Sequence, residues 1–401
     1  IAKNEPYLEN YIPDDAHIST IIYTSGTTGL PKGVVHSFHT FSYAAGWALT
    51  EINDITEKDR FFSYLPLSHI AERMLVEMGA LYSGGSISFA ESLDLFAANL
   101  KDTKPSVFLA VPRIWTKFQM GILSKMPQKR LNILLKIPIV NKLIQTKIKQ
   151  GLGLDKAKYV LTGAAPLPVA TMVWFDKLGI DICEAYAMTE NCAYSHLTRR
   201  GNKKLGTVGT PMPNCEIRIA DDGEIQVKNE AIMLEYFKEP EKTQEALTQD
   251  GFLRTGDQGE IDENNFLKIT GRVKDIFKTD KGKYVAPAPI ELELSKNTNI
   301  EQVCVVGMNL PQTMALLVLS AEAKALDKAV LEADLVATMQ EVNKKFEKHE
   351  RMKKLVVMQE EWTVDNNYIT PTLKVKRNIL EKDKSPYYEK WYKETNEIIW
   401  E

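Results

Sequence analysis

Ten consecutive residues, Thr24-Ser25-Gly26-Thr27-Thr28-Gly29-Leu30-Pro31-Lys32-Gly33, concentrate four hydroxyls, three glycines and one lysine. Phosphate oxygens need convergent donors from a loop without bulky side chains, and glycine lets backbone N–H groups approach an anion closely. The string reads as an anion cradle built by Thr24, Ser25, Gly26, Thr27, Thr28, Gly29 and Lys32. It is not the Walker loop, because Gly33 and Val34 follow Lys32 where a magnesium-holding Ser or Thr would stand. Further on, Tyr186, Thr189 and Glu190 set a ring, a hydroxyl and a carboxylate within five residues. A carboxylate there is a hard ligand suited to magnesium that is otherwise held by phosphate oxygens and water. Asp257 follows Gly256 in a turn, where one carboxylate can accept two vicinal hydroxyls. His36 and His39 lie three apart, on one face of an expected helix, but without a nearby Cys or carboxylate they do not read as a metal pair.

The elements that must position these groups are legible in part. Ile18–Tyr23 is a mostly β-branched run, and Val34, Val35, Phe38 and Phe41 recur at helical spacing after the loop. Strand, loop, helix is expected, with the helix turning its positive end toward the cradle. Short apolar runs at Phe61–Leu65, Ser86–Ala90, Ser106–Ala110 and Tyr159–Thr162, separated by longer segments, argue for parallel α/β layers. From Gly206 the texture changes to short strands and tight turns such as Asp221-Asp222-Gly223, which suggests an antiparallel, barrel-like piece. After Gly271 come a lysine-rich linker, strands at Val303–Val306 and Ala315–Leu319, and a charged helix near Asp334–His349. The expected division is 1–270 and 271–401.

Thr24–Gly33 resembles the signature loop of the adenylate-forming superfamily, which includes acyl-CoA synthetases, luciferases and peptide synthetase adenylation domains. Further blocks of that family follow in order at Leu161–Pro166, Glu184–Glu190, Arg254–Asp257, Gly271–Asp275 and Pro371–Arg377. The resemblance implies a large domain with a doubly wound parallel sheet and a small barrel-like part, of which 1–270 is the C-terminal portion. A smaller, mobile α+β domain would follow. It implies that the chain, which begins at Ile1, lacks the family's N-terminal portion.

The same resemblance assigns roles. Gly163, Ala164, Ala165, Glu184, Ala185 and Tyr186 would border adenine, Thr189 would reach the α-phosphate, and Glu190 would hold Mg2+. Asp257 and Arg272 would take ribose or phosphate, and Lys274 is the hinge. Lys374 would act in adenylation, with Lys376 a competing assignment because Leu373 stands where the family usually has Gly. Lys278 would face the site in the thioester step, and His69 is a candidate for the acyl site. Tyr64–Arg73, Val111–Arg113 and Phe277–Pro287 resemble the long-chain fatty acyl branch. ATP, Mg2+, coenzyme A and a fatty acid are the implied cofactor and substrates. Alternatives are an acyl-AMP ligase loading a carrier protein and a nucleotide-binding module without turnover.

Fifty Lys+Arg against 53 Asp+Glu leave a formal charge of −3, so no overall attraction to nucleic acid is expected. Arg113–Gln150 departs from this balance, with nine basic residues and no Asp or Glu, interleaved with Ile, Leu and Met. It reads either as a solvated helical face or as a segment in peripheral contact with an anionic membrane. The four cysteines are spaced 9, 23 and 89 apart and suggest neither zinc knuckle nor disulfide framework. A cytoplasmic location, extending to the inner face of a membrane, fits; the oligomeric state is not legible.

Overall fold

The computed structural model describes residues 12–24, 31–51, 55–92, 94–370 and 374–401. β1 (Ile18–Thr24) and β2 (Lys32–Ser37) pair antiparallel, so the loop between them joins strand to strand. The helix expected from Val34 begins only at Phe38, as α1 (Phe38–Glu51). Val34, Val35, His36 and Ser37 are all buried. A strand covered on both faces shows no alternation, and its apolar run cannot be told from a helix by periodicity. The dipole argument for the cradle falls with that helix, since Lys32 opens a strand. His36 accordingly sits on β2 and His39 in α1, not together on one helical face. Of the cradle, Ser25, Gly26, Thr27, Thr28 and Gly29 lie outside the described residues, as do Pro371–Leu373.

Five parallel strands follow: β3 (Arg60–Ser63), β4 (Ser86–Phe89), β5 (Val107–Ala110), β6 (Tyr159–Thr162) and β7 (Ile182–Tyr186). Antiparallel β8 (His196–Leu197) and β9 (Thr210–Pro211) complete a seven-stranded sheet in the order β4-β3-β5-β6-β7-β8-β9. Its connections carry α2 (Gly79–Ser83), α3 (Phe96–Thr103), α4 (Pro112–Lys125), α5 (Gln128–Leu134), α6 (Pro138–Leu152) and α7 (Val169–Lys177). Successive side chains of a strand point to opposite faces. Phe62, Phe108, Val160 and Ile182 therefore pack against Phe96, Leu100, Trp115 and Phe175, while Phe61, Val107, Leu161 and Cys183 pack against Val76 and Ala80. Burial on both faces is why Phe61-Phe62, Val107–Ala110 and Val160-Leu161 read as unbroken apolar runs, while edge strand β4 alternates Ser with Ile and Phe.

β10 (Glu216–Ile219) and β11 (Glu224–Lys228) form the hairpin signalled by Asp221-Asp222-Gly223, where Gly223 takes φ 82°. β12 (Glu235–Tyr236) leaves this group to pair with β2. β13 (Leu253–Ile261) and β14 (Leu267–Arg272) extend the hairpin to four antiparallel strands. A single 3₁₀ turn at Val273–Asp275 leads to the short pair β15 (Phe277–Lys278) and β16 (Tyr284–Val285).

The last sheet orders β17 (Ile300–Val306), β18 (Thr313–Leu319), β19 (Met352–Val357) and β20 (Ile398–Trp400), antiparallel at first and then parallel. The charged helix near Asp334–His349 spans Lys328–Asn343 instead, because the Asp327 side chain caps it by accepting from the N–H groups of Ala329 and Val330.

Candidate active site

A cavity of about 2260 Å3 opens beyond the carboxyl ends of β5, β6 and β7, where open α/β sheets place their ligands. Ordinary small-molecule pockets measure roughly 300–1,000 Å3, so this one has room for more than one substrate. Gly163, Ala164 and Ala165 turn out of β6 into its wall, with Ala164 in the left-handed region at φ 68°. Ala185 and Tyr186 reach it from the end of β7, and Thr24 and Lys32 from the two strands flanking the cradle loop.

Asp257 on β13 and Arg272 on β14 are register partners, so the sheet itself holds their ion pair, with Arg272 Nε donating to Asp257 Oδ1 at 2.9 Å. The Tyr186 hydroxyl donates to Asp257 Oδ2, also at 2.9 Å. Burial, and then the Asp257 charge, push the Tyr186 phenol well above its ordinary range, so it remains a donor. Each Asp257 oxygen keeps a second acceptor position for a further hydroxyl.

Thr189 and Glu190 lie in a one-turn 3₁₀ helix. Glu190 Oε1 accepts from the Tyr236 hydroxyl at 2.7 Å. Lys32 Nζ stands 3.8 Å from the centre of the Tyr236 ring, and burial holds this lysine below its usual range against the pull of Glu190. His36 Nε2 is 2.8 Å from the Thr189 carbonyl oxygen. Burial drops His36 to about 4, so its neutral ring must carry the proton on Nε2 to make this bond. The strand that carries Lys32 thus also steadies the turn that carries Glu190.

Lys374 faces this group from the C-terminal part. Its side chain is open to the cavity, yet the surrounding walls withhold bulk water. That desolvation, and then the Arg272 charge, lower it to about 8, while Asp257 and Glu190 pull the other way. His69, across the cavity, is lowered to about 4 by burial and then by Lys374, so it is neutral. Lys376 also lines the cavity, but its ammonium is bonded to Asn367 Oδ1. Arg377 ties the same segment down through Glu291 and the Val305 carbonyl, with Asp275 of the 3₁₀ turn 3.9 Å away.

Two expected residues stand apart from this cluster. Glu184 borders the cavity, but its Oε1 accepts from the Leu167 N–H at 3.3 Å and burial raises it to about 7. Lys278 does not line the cavity: on β15 its Nζ lies 4.8 Å from the centre of the Tyr284 ring. Lys274, in the 3₁₀ turn, does line it.

One stretch of the wall is apolar, with Ala44 and Ala48 from α1, Phe61 from β3, and Met74 and Leu75 from a π-helical stretch at Glu72–Met78. Such stretches are rare and concentrate at functional sites. Sequence reasoning missed Tyr236 and His36 as supports of Glu190 and Thr189, since no motif spacing joins residues 46 and 153 apart. It also missed the Arg113–Glu301 ion pair that bridges α4 to β17. Among the described residues no three His, Cys, Asp or Glu converge as a metal cage. Magnesium would have to be shared with a phosphate ligand, and Glu190, with Oε2 left by Tyr236, fits that role.

The profile described as AMP-binding enzyme matches residues 2–237, and that of the AMP-binding enzyme C-terminal domain matches 274–395. The chain belongs to the AMP-binding enzyme family. It is therefore an adenylate-forming enzyme of mixed α/β fold, as the loop at Thr24–Gly33 implied. Among relatives of this AMP-binding enzyme, the rat long-chain-fatty-acid–CoA ligase 5 is 33% identical over 427 residues, covering 92% of this chain and 61% of the rat protein. Long-chain-fatty-acid–CoA ligase FadD15 of Mycobacterium bovis is 30% identical over 405 residues, covering 90% and 67%. Crystalline ATP-bound MatB from Rhodopseudomonas palustris shares the fold at TM-score 0.74 and 24% identity, over 96% of this chain and 72% of MatB.

Proposed function

We propose that this enzyme joins a long-chain fatty acid to coenzyme A in two steps, through an acyl-adenylate, releasing pyrophosphate and then AMP. The observation that carries this reading is the convergence of Lys374, Lys32 and Glu190 on one cavity that also has an apolar stretch of wall at Ala44, Ala48, Phe61, Met74 and Leu75. Cations and a carboxylate suit a triphosphate, and the apolar wall suits an alkyl chain. The names of the relatives described above point the same way.

In the first step a carboxylate oxygen attacks the α-phosphorus and the bond to pyrophosphate breaks. Negative charge gathers on the α-phosphate oxygens, and the Lys374 ammonium, facing the cavity, offsets it. Thr189 and Lys32 would add donors, and Glu190 would hold magnesium, which neutralises phosphate charge. Tyr186 and the alanines of the 163–165 turn would receive adenine, and Asp257 the ribose hydroxyls. In the second step the thiol sulfur of coenzyme A attacks the acyl carbon and AMP leaves, so no protein side chain forms a covalent bond. Adenylate is already a good leaving group, and the protein supplies orientation and exclusion of water.

Lys278 enters this reading by a second arrangement, in which 271–401 turns about Lys274 relative to 1–270 and exchanges the Lys374 face for the β15 face. The test is pyrophosphate release over a panel of fatty acids, with and without coenzyme A. Thioester formation only with coenzyme A is expected. Arrest at adenylate would indicate transfer to a carrier protein instead, and no pyrophosphate release with any acid would leave nucleotide binding alone.

A further inference from the structure

We propose that α5, α6 and the turn joining them are a docking surface for anionic lipid bilayers. Lys136, Ile137, Pro138 and Ile139 are four consecutive exposed residues that run from the turn after α5 into the start of α6. On α6 the exposed positions Ile139, Lys142, Leu143, Thr146, Lys147 and Gln150 recur at the three-and-four spacing of one helical face. Ile139 is 80% exposed and Ile133, on α5, 63%. Aliphatic side chains of this size are normally the first to be covered.

Charge singles out the occupant. Lys129 and Arg130 lie one turn from Ile133 on α5, Lys136 adjoins Ile137, and Lys142 and Lys147 flank Leu143 on α6; all five are exposed, and none forms an ion pair among the described residues. From Arg113 to Gln150 there is no acidic residue to oppose them. Exposed cations interleaved with exposed aliphatic residues match an interface of lipid headgroups above acyl chains, where lysine stems reach up to phosphates while Ile and Leu insert. A nucleic acid would use the cations but would leave Ile133, Ile137, Ile139 and Leu143 in water. Among the described residues no helix is long and apolar enough to cross a membrane. α4, which precedes this surface, contributes Thr116, Met120 and Leu123 to the cavity wall. The docking face therefore adjoins the site through one helix.

Each basic residue near an anionic surface contributes about fivefold to partitioning at low salt. The protein is sedimented with vesicles of phosphatidylcholine alone and with vesicles of phosphatidylglycerol and phosphatidylcholine in equal parts. Binding to the anionic vesicles only, weakening as salt is raised, is expected. K136Q/K142Q/K147Q is expected to bind about 10²-fold more weakly. I133S/I139S/L143S, which keeps every charge, is expected to lose at least about tenfold. Both variants change exposed side chains, and circular dichroism and thermal melting matching the unmodified protein establish that they fold.

No binding, equal binding to neutral vesicles, or unchanged binding by either folded variant would overturn the proposal. So would binding to duplex DNA as tight as to the anionic vesicles. Sedimentation is read without turnover, so this result and that of the pyrophosphate assay stand or fall separately.

Discussion

The Lys374 ammonium is predicted to set the alkaline limit of adenylation. Desolvation beside the cavity walls, and then the Arg272 charge, lower the lysine from 10.5 to about 8, which for a cation means that the charge disappears as pH rises through that value. About nine-tenths of the enzyme then carries the charge at pH 7 and about one-tenth at pH 9, so kcat/KM for pyrophosphate release falls about tenfold over that interval. The quantity to follow is kcat/KM, because it reports ionisation in the free enzyme, before the charges of ATP raise the lysine again. Lys374→Ala removes the ammonium altogether and is expected to cost about 10²–10³ in single-turnover adenylation, the usual loss for a donor aimed at developing charge. Conversion of supplied acyl-adenylate and coenzyme A to thioester is expected to be spared. Lys374→Arg keeps a charge that does not titrate below pH 12, so its residual activity is expected to be flat from pH 7 to 9. Equal loss of both half-reactions in Lys374→Ala, or an unchanged alkaline limb in Lys374→Arg, would refute the reasoning. A selective adenylation defect in Lys376→Ala would move the role by two residues.

Tyr236→Phe takes the phenol donor from Glu190, and a bond to a charged acceptor is worth about 1.5–3 kcal/mol. The magnesium concentration giving half-maximal pyrophosphate release is expected to shift about tenfold or more. Trp115, fully buried beneath the parallel sheet, is expected to cost about 3–5 kcal/mol when cut to alanine, read as a lower urea midpoint. Lys278→Ala is expected to slow thioester formation while acyl-adenylate accumulates, as followed by single turnover. His36 is held at about 4 against an ordinary 6.5, so the unfolded chain takes up the proton first as pH falls. Its contribution, about 3 kcal/mol, is intact above pH 6.5 and lost progressively toward pH 4. The difference in urea midpoint between His36→Gln and the unmodified protein is expected to shrink over that range, and a constant difference would contradict it.

The parts of the fold that could be read from the chain are those in which burial repeats locally. The runs Phe61-Phe62 of β3, Val107–Ala110 of β5 and Val160-Leu161 of β6 are apolar without a break because both faces of the sheet are covered there, and Asp221-Asp222-Gly223 announces its hairpin by chemistry confined to three residues. β2 escaped for the same reason that β3 did not: once both faces are buried, Gly33-Val34-Val35 carries no period, and Phe38 and Phe41 of the following helix lent it one. In the site, Tyr186, Asp257, Glu190 and Lys374 were nameable because each stands in a short motif. Their supports were not, because Tyr236 meets the 3₁₀ turn of Glu190, and Arg377 at the start of one helix meets Glu291 of another, only once distant segments have packed together. The acid-free interval was visible as composition, but which of its aliphatic residues face solvent depends on how α5 and α6 lie against the body.

The π-helical stretch at Glu72–Met78 gives this wall an unusual route to change. A π-turn is an α-helix holding one residue too many, and here the flanking segments, including α2, are ordinary helix. Deleting a single residue between Glu72 and Met78 would restore the common hydrogen-bond ladder, leaving the flanking helix in phase while re-aiming the side chains within the stretch. Met74 and Leu75 would exchange places with neighbours that now point elsewhere, while β3 and the strands behind the helix stayed put. One codon could therefore reshape the bore of the cavity in a single step, where a series of substitutions would have to cross poorly packed intermediates.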